Sequence, residues 1–286
     1  MAASVNSILA LLLHFLLSTI FSIYIRGRKL YHALFDRISA ILNYHHRTPE
    51  IIARDVKPLA RLPKHLSVIL TLPPDQKDVT LLLNRLDGLI HDACELVAWS
   101  AAAGIPVLSI YEKTGLLKSS QTHLHRRIEK TLTSYYGATN PQKPTFSLRA
   151  PNTQSYTPPA SPPSNPSSPP HPRQRPHITL LLLSAADSRQ TLVDLTRTLA
   201  SMSQSHTLSP SDISPALIDA ELEESVMGEP DLLIMFGEKA TLEGYPPWQV
   251  RLTEIFQLAD YTGGVGYHLF VRGLRKYAGA EMRFGR

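Results

Sequence analysis

Short runs of aliphatic and β-branched residues, each followed by a helically periodic stretch, recur from residue 66 to residue 236 and leave few folds open. Leu66–Leu72 (LSVILTL), Pro106–Tyr111 (PVLSIY), Ile178–Leu183 (ITLLLL) and Asp231–Phe236 (DLLIMF) are almost continuously apolar. Runs this short and this apolar suit strands that are covered on both faces. Asp78–Gly104, Thr114–Tyr136 and Asp187–Ser203 carry helical spacing, and Ser211–Ser225 offers a further helix. Gly104 before Ile105-Pro106 marks a helix stop followed by an extended entry. The alternation predicts an α/β fold, a mainly parallel sheet flanked by helices. With 43% apolar residues in 286, the chain has enough material for a sizeable core.

Gly137–His177 interrupts the pattern with twelve of the 23 prolines and almost no large apolar residues. Such a stretch buries too little surface to offset the entropy of ordering, so a disordered, partly polyproline-II insertion is expected at 137–177. It reads as loop filler rather than as a docking site for proline-binding modules.

The amino-terminal segment calls for a membrane. Ser7–Ile25 (SILALLLHFLLSTIFSIYI) has no charged side chain, and nineteen helical residues rise roughly 28 Å, about one hydrocarbon core. Arg26, Arg28 and Lys29 follow, which by the positive-inside rule keeps the rest of the chain cytosolic. The uncharged start (MAASVN) and the missing cleavage site argue against a signal peptide. His14 reads as a spectator. Leu30–Asn43 has helical spacing and suits the membrane surface. The expected organisation is an anchor at 1–29 (span about 7–25), a juxtamembrane helical region at 30–64, and a domain at 65–286 that carries the proline-rich insertion.

Several chemistries are excluded. A single cysteine, Cys94, rules out a disulfide framework and a zinc ribbon. No Asn-x-Ser/Thr acceptor with a permitted middle residue occurs, since Asn165 precedes Pro166. The net charge of +5 is mild and no arginine-rich, aromatic-laced stripe exists, so nucleic acid is not a partner. The strand ends carry no glycine-rich phosphate loop, nucleophile elbow or paired metal-binding histidines. Gly263-Gly264-Val265-Gly266 reads as a turn, and His45-His46 and His123-x-His125 as exposed histidines.

The carboxyl-terminal third is more specific. Pro230–Leu258 (PDLLIMFGEKATLEGYPPWQVRLTEIFQL) resembles the D-L-x-I-R-T-x-G-E-x-R-x-S-N-F-x-x-W-Q block of the cis-prenyltransferases, with Asp231, Leu232, Ile234, Trp248, Gln249 and Glu254 at matching positions. His65–Asp75 is similar to their H-x-x-x-I-M-D-G-N-x-R strand. The departures are informative. The two arginines that grip the diphosphate of isopentenyl diphosphate correspond to Met235 and Thr241. The Mg²⁺-binding aspartate corresponds to Thr71, the asparagine to Pro73 and the phosphate-binding arginine to Asp75. A polyanion needs cations and a carboxylate–metal bridge, and these positions supply neither.

Arg283-Phe284-Gly285-Arg286 is similar to the terminal Arg-x-Gly of the non-catalytic, Nogo-B-receptor-type subunit of eukaryotic dehydrodolichyl diphosphate synthase. Pro247–Ile255 and Ala98–Leu117 resemble that family as well. The resemblance implies a cis-prenyltransferase-like domain that does not act alone. It implies a heteromer with a catalytic cis-prenyltransferase subunit that elongates farnesyl diphosphate with isopentenyl diphosphate for dolichol synthesis and protein glycosylation. It further implies that Arg283 and Gly285 enter the partner's active site as catalytic and substrate-binding residues, with Mg²⁺ held mainly by the partner. Trp248, Arg251, Leu252, Ile255 and Phe256 become interface candidates. Glu254 aligns with a metal-associated carboxylate and divides between that role and an interface. The implied setting is the endoplasmic reticulum membrane, single-pass, with membrane lipid as a further partner. Two other readings stay open: a membrane-bound receptor or scaffold with this fold, and a self-sufficient transferase with a rebuilt site.

Overall fold

The computed structural model describes residues 12–27, 48–71, 79–153, 175–236, 240–258 and 265–281. The chain divides into two units, Met1–His45 and His46–Arg286. In the first, residues 12–27 form helix α1, whose apolar side chains, Leu12, Phe15, Leu16, Ile20 and Ile23 among them, are exposed. Among the described residues no helix is long and apolar enough to cross a membrane. The expected span starts at Ser7, and Ser7 to Leu11 lie outside the described residues, as does the expected helix Leu30–Asn43.

In the second unit the elements run α2 (Pro49–Val56), β1 (His65–Ile69), α3 (Val79–Ala103), β2 (Val107–Tyr111), α4 (Leu116–Ser119), α5 (Gln121–Tyr136), β3 (Thr145–Arg149), β4 (His177–Leu183), α6 (Arg189–Gln204), α7 (Pro215–Ser225), β5 (Leu232–Phe236), β6 (Glu254–Leu258) and α8 (Tyr267–Gly279). The six strands make one sheet in the order β3-β4-β2-β1-β5-β6. Every pairing is parallel, as the apolar runs predict.

Period-two alternation sorts the strands' side chains between two layers. Leu66, Val68, Leu108, Ile110, Leu180, Leu182, Leu232 and Ile234 join the main core with α2, α3, α5 and α8. Ile69, Tyr111, Leu181, Leu183, Leu233 and Met235 face a smaller cluster with Val226, Met227 and Tyr245. α3 stops where the sequence says it should. Gly104 has φ +79°, Ile105 N–H donates to the Ser100 carbonyl at 2.9 Å, and Pro106 cannot continue the helix. α8 lies against β5 and β6 because Gly273 has no side chain. A Cβ there would come within 2.6 Å of Ile234 Cδ1 and 3.4 Å of Phe256 Cδ1.

Three expectations are corrected. The helix expected over Thr114–Tyr136 is two, broken at Ser120, whose φ/ψ of −102°/25° leaves the helical region. The stretch 137–177 is not wholly an insertion without structure. Thr145–Arg149 forms edge strand β3, in register with His177–Leu181. His125 is buried rather than exposed and sits 4.6 Å from the Phe146 ring of β3. An edge strand needs only one neighbour and one apolar face, and the flanking prolines mask a signal that small. The proline-dense part, 154–174, lies outside the described residues. β6, present in the sequence only as part of a motif, closes the other edge.

Candidate functional site

In a parallel sheet, ligands collect at the carboxyl ends of the strands. Here that edge is occupied by the chain's own pairings. Glu112, which follows β2, is 1% exposed. Its carboxylate accepts from Thr114 N at 2.7 Å, Thr114 Oγ1 at 2.6 Å and Leu116 N at 2.8 Å, so its charge is used in starting α4. Asp187, which follows β4, accepts from Ser184 N at 2.9 Å and Ser184 Oγ at 3.0 Å in a capping box. Lys118 reaches the same carboxylate from α4 at 2.6 and 2.8 Å, and Asn152 Nδ2 adds a bond at 3.2 Å. The Asp187 side chain is 0% exposed and that of Lys118 13%, so this cation is committed to an internal ion pair.

Among the described residues, the positions that correspond to phosphate- and metal-gripping groups carry no charge. Thr71 is half-buried beyond the end of β1, Met235 is 4% exposed inside the smaller cluster, and Thr241 is exposed. Pro73 and Asp75 lie outside the described residues. The segment 240–246 is drawn onto this side of the sheet by two tyrosines. Tyr111 Oη donates to the Glu243 carbonyl at 2.8 Å, and its ring meets that of Tyr245 at 5.3 Å. Burial, and behind it the nearby Glu243, Glu112 and Asp187 carboxylates, push the Tyr111 phenol up to about 12. Tyr245 is joined to Ser67 at 2.8 Å, Ser109 donates to Ser67 at 2.7 Å, and His65 Nε2 lies 3.0 Å from Ser109 Oγ. This series crosses beneath the sheet from the segment 240–246 to the head of β1.

The amino edge holds the polar groups of the aligned motifs. Asp231 Oδ2 accepts from Lys64 N at 2.7 Å and His65 N at 2.9 Å, so the aspartate of the motif ties the start of β1 to the start of β5. Glu254 heads β6 beside it, with its own amide donating to the Asp231 carbonyl at 3.1 Å. A bridging carboxylate for a ligand at the carboxyl edge would have to stand at the other end of this strand. Among the described residues no three His, Cys, Asp or Glu side chains gather as a metal site would require. Thr71 offers a hydroxyl where the family pattern has a carboxylate. Among the described residues no donor set fits Mg²⁺.

The interface candidates separate into three groups. Trp248 Nε1 donates to Asp219 Oδ1 at 2.9 Å, and Arg251 Nη2 reaches the same oxygen at 2.7 Å while lying 4.7 Å over the Trp248 ring. These two fasten the 3₁₀ turn Pro247–Val250 to α7. Phe256 packs against the main core. Ile255 on edge strand β6 and Leu252 in the bend before it are 43% and 60% exposed. Arg283 and Gly285 lie outside the described residues. Sequence reasoning missed Asp219, Lys118, Asp187, Tyr245 and Arg61. Apart from the local capping box of Ser184 and Asp187, their partners are distant in sequence.

No protein-family model matches the chain. It is 35% identical over 277 residues to the dehydrodolichyl diphosphate synthase complex subunit NUS1 of Saccharomyces cerevisiae, covering 95% of this chain and 72% of the yeast protein. It is 36% identical over 256 residues to the corresponding subunit of Schizosaccharomyces pombe, covering 88% and 89%. The human NUS1 subunit is 24% identical over 233 residues, covering 81% and 70%. Among solved structures, lavandulyl diphosphate synthase from Lavandula x intermedia matches with a TM-score of 0.49 at 19% identity, covering 79% of this chain and 99% of that one. With the parallel sheet in place, the aligned motifs on its strands, and two fungal relatives matched over most of their length, the chain belongs to the NUS1 family of dehydrodolichyl diphosphate synthase complex subunits.

Proposed function

We propose that this protein is the non-catalytic, membrane-anchoring and activating subunit of a heteromeric dehydrodolichyl diphosphate synthase. Its partner carries the reaction, cis elongation of farnesyl diphosphate with isopentenyl diphosphate, and holds the Mg²⁺. One observation carries the reading. At the edge where a diphosphate would bind, the aligned grip position is the buried Met235, and Lys118 nearby is committed to Asp187. A chain built this way assists synthesis only by what it gives a neighbour. The remaining gift is Arg283 with Gly285. A guanidinium makes paired charge-assisted bonds to a diphosphate, and the glycine lets the backbone approach. The named relatives are complex subunits, which supports a catalytic partner.

The root of the terminal segment supports donation outward. α8 ends near Asp231 and Glu254, at the amino edge of the sheet. The exposed Leu252, before β6, and Ile255, on it, form the contact with the partner in this reading. Residues 1–29 anchor the complex in the endoplasmic reticulum membrane with the domain in the cytosol, supported by the apolar, exposed surface of α1.

The test is the purified heteromer supplied with farnesyl and isopentenyl diphosphates. Deleting residues 283–286, or making Arg283→Ala, should lower turnover by about 100-fold, the scale of losing one preorganised charge-stabilising group. The two subunits should still co-purify. Unchanged turnover would instead favour a receptor or scaffold that keeps the fold without contributing to catalysis, and turnover by this chain alone would favour a self-sufficient enzyme.

A further inference from the structure

We propose that Arg61 is a positioning residue, which sets the point and direction from which the terminal segment leaves the fold. The inference rests on the reading of Arg283 given above and adds a residue to it. Arg61 lies between α2 and β1, yet its side chain reaches across to the end of α8. Nε and Nη2 donate to the Tyr277 carbonyl at 3.1 and 2.9 Å. Nη2 also donates to the carbonyl of Ala280. The guanidinium carbon stands 4.6 Å over the centre of the Tyr277 ring, and that ring is buried.

Each contact has a separate cause. The last carbonyls of a helix lack partners within the helix and carry its negative end, so a cation there is favourable. That alone accounts for Tyr277. Ala280 is different. Its ψ of 134° places it outside the helix, as the first extended residue of the departing chain. One planar guanidinium therefore holds the final turn of α8 and the first residue beyond it in a fixed relation. A lysine has neither the fork nor the stacking face to do both. The platform beneath is itself tied down. The amides of Lys64 and His65, three and four residues on, are bound by Asp231, and Gly273 seats α8 on Ile234. Only Glu281 and Met282 separate Ala280 from Arg283, so in the proposed reading an error in direction at Ala280 displaces the guanidinium offered to the diphosphate. Misplacement of about 1 Å can cost two orders of magnitude in rate.

The test is a double-mutant cycle in the intact heteromer, with Arg61→Ala and deletion of residues 283–286 as the two changes. With the terminal segment present, Arg61→Ala should lower kcat/KM for isopentenyl diphosphate by about 10-fold, a part of the misplacement effect. Subunit association should be unchanged. In the complex lacking 283–286, Arg61→Ala should change kcat/KM less than about two-fold, because the segment it directs is gone. Arg61→Lys should fall between the two, and it carries the same cycle if Arg61→Ala prevents assembly. A nitroxide on Met282→Cys gives a readout independent of turnover, and its spectrum should sharpen in Arg61→Ala. Equal losses with and without the segment, no loss in its presence, or an unchanged spectrum would each overturn the proposal. Failure of the underlying reading shows elsewhere in the cycle, as a silent deletion of 283–286 in the complex with Arg61 intact.

Discussion

His65 shows how a motif residue can keep its place and change its work. It begins β1, its amide is held by Asp231, and its ring faces the Ser109–Ser67–Tyr245 series. Burial lowers its pKa to about 4, against the opposing pull of Asp231. The neutral ring is therefore the folded form. The sign follows: the contribution to stability is complete above the unfolded pKa near 6.5 and is lost as pH falls toward 4. A shift of this size is worth about 3 kcal/mol. Urea midpoints should fall between pH 6.5 and 4 in the wild-type protein, and His65→Asn should remove most of that acid-dependent fall while lowering stability at pH 7. The motif's departures at Thr71, Met235 and Thr241 were legible because each stands at a fixed offset from an aligned neighbour. Arg61 was not, since its partner lies 216 residues away and nothing in Ala60–Leu62 announces it.

At the scale of elements, the four central strands were readable because apolar residues on both faces leave a continuous run. The two edges were not. β3 (TFSLR) sits among prolines, and β6 (EIFQL) mixes charge and apolar residues as a half-covered edge must. The same half-covering leaves Ile255 of β6 exposed. Changing Ile255 to Glu should leave the isolated chain folded, with a melting temperature within a few degrees, because the side chain is already 43% exposed. It should abolish co-purification with the catalytic partner, since a carboxylate would be buried unpaired. Size-exclusion profiles of the co-expressed pair would show this directly. Changing Leu222, the buried residue of α7, would unfold the chain and so could not separate the two effects. α6 has an apolar stripe of Leu192, Leu195, Leu199 and Met202, and none of its residues is buried.

For the whole molecule, the division into Met1–His45 and His46–Arg286 fits a chain in which tethering and folding are separate tasks. Removal of residues 1–29 should move the protein from the membrane pellet to the supernatant. Turnover of the detergent-solubilised heteromer should fall less than about two-fold, since the groups proposed to reach substrate lie at the opposite end of the sequence. A protein that stayed in the pellet after the deletion would place the membrane attachment elsewhere. The fold class was written in local composition, as runs of apolar residues. The internal pairings of the carboxyl edge were not, because Lys118–Asp187 and Tyr111–Glu243 join residues 69 and 132 positions apart.

The burial of Met235 has a consequence for chemistry. Its side chain is part of a packed wall with Ile69, Leu233, Met227 and Tyr245. An arginine restored there would enter that wall with no counter-charge and at a cost of several kcal/mol. In the proposed reading, changing Met235 alone would therefore not give this chain a phosphate grip, and its dependence on a partner is held in place by packing.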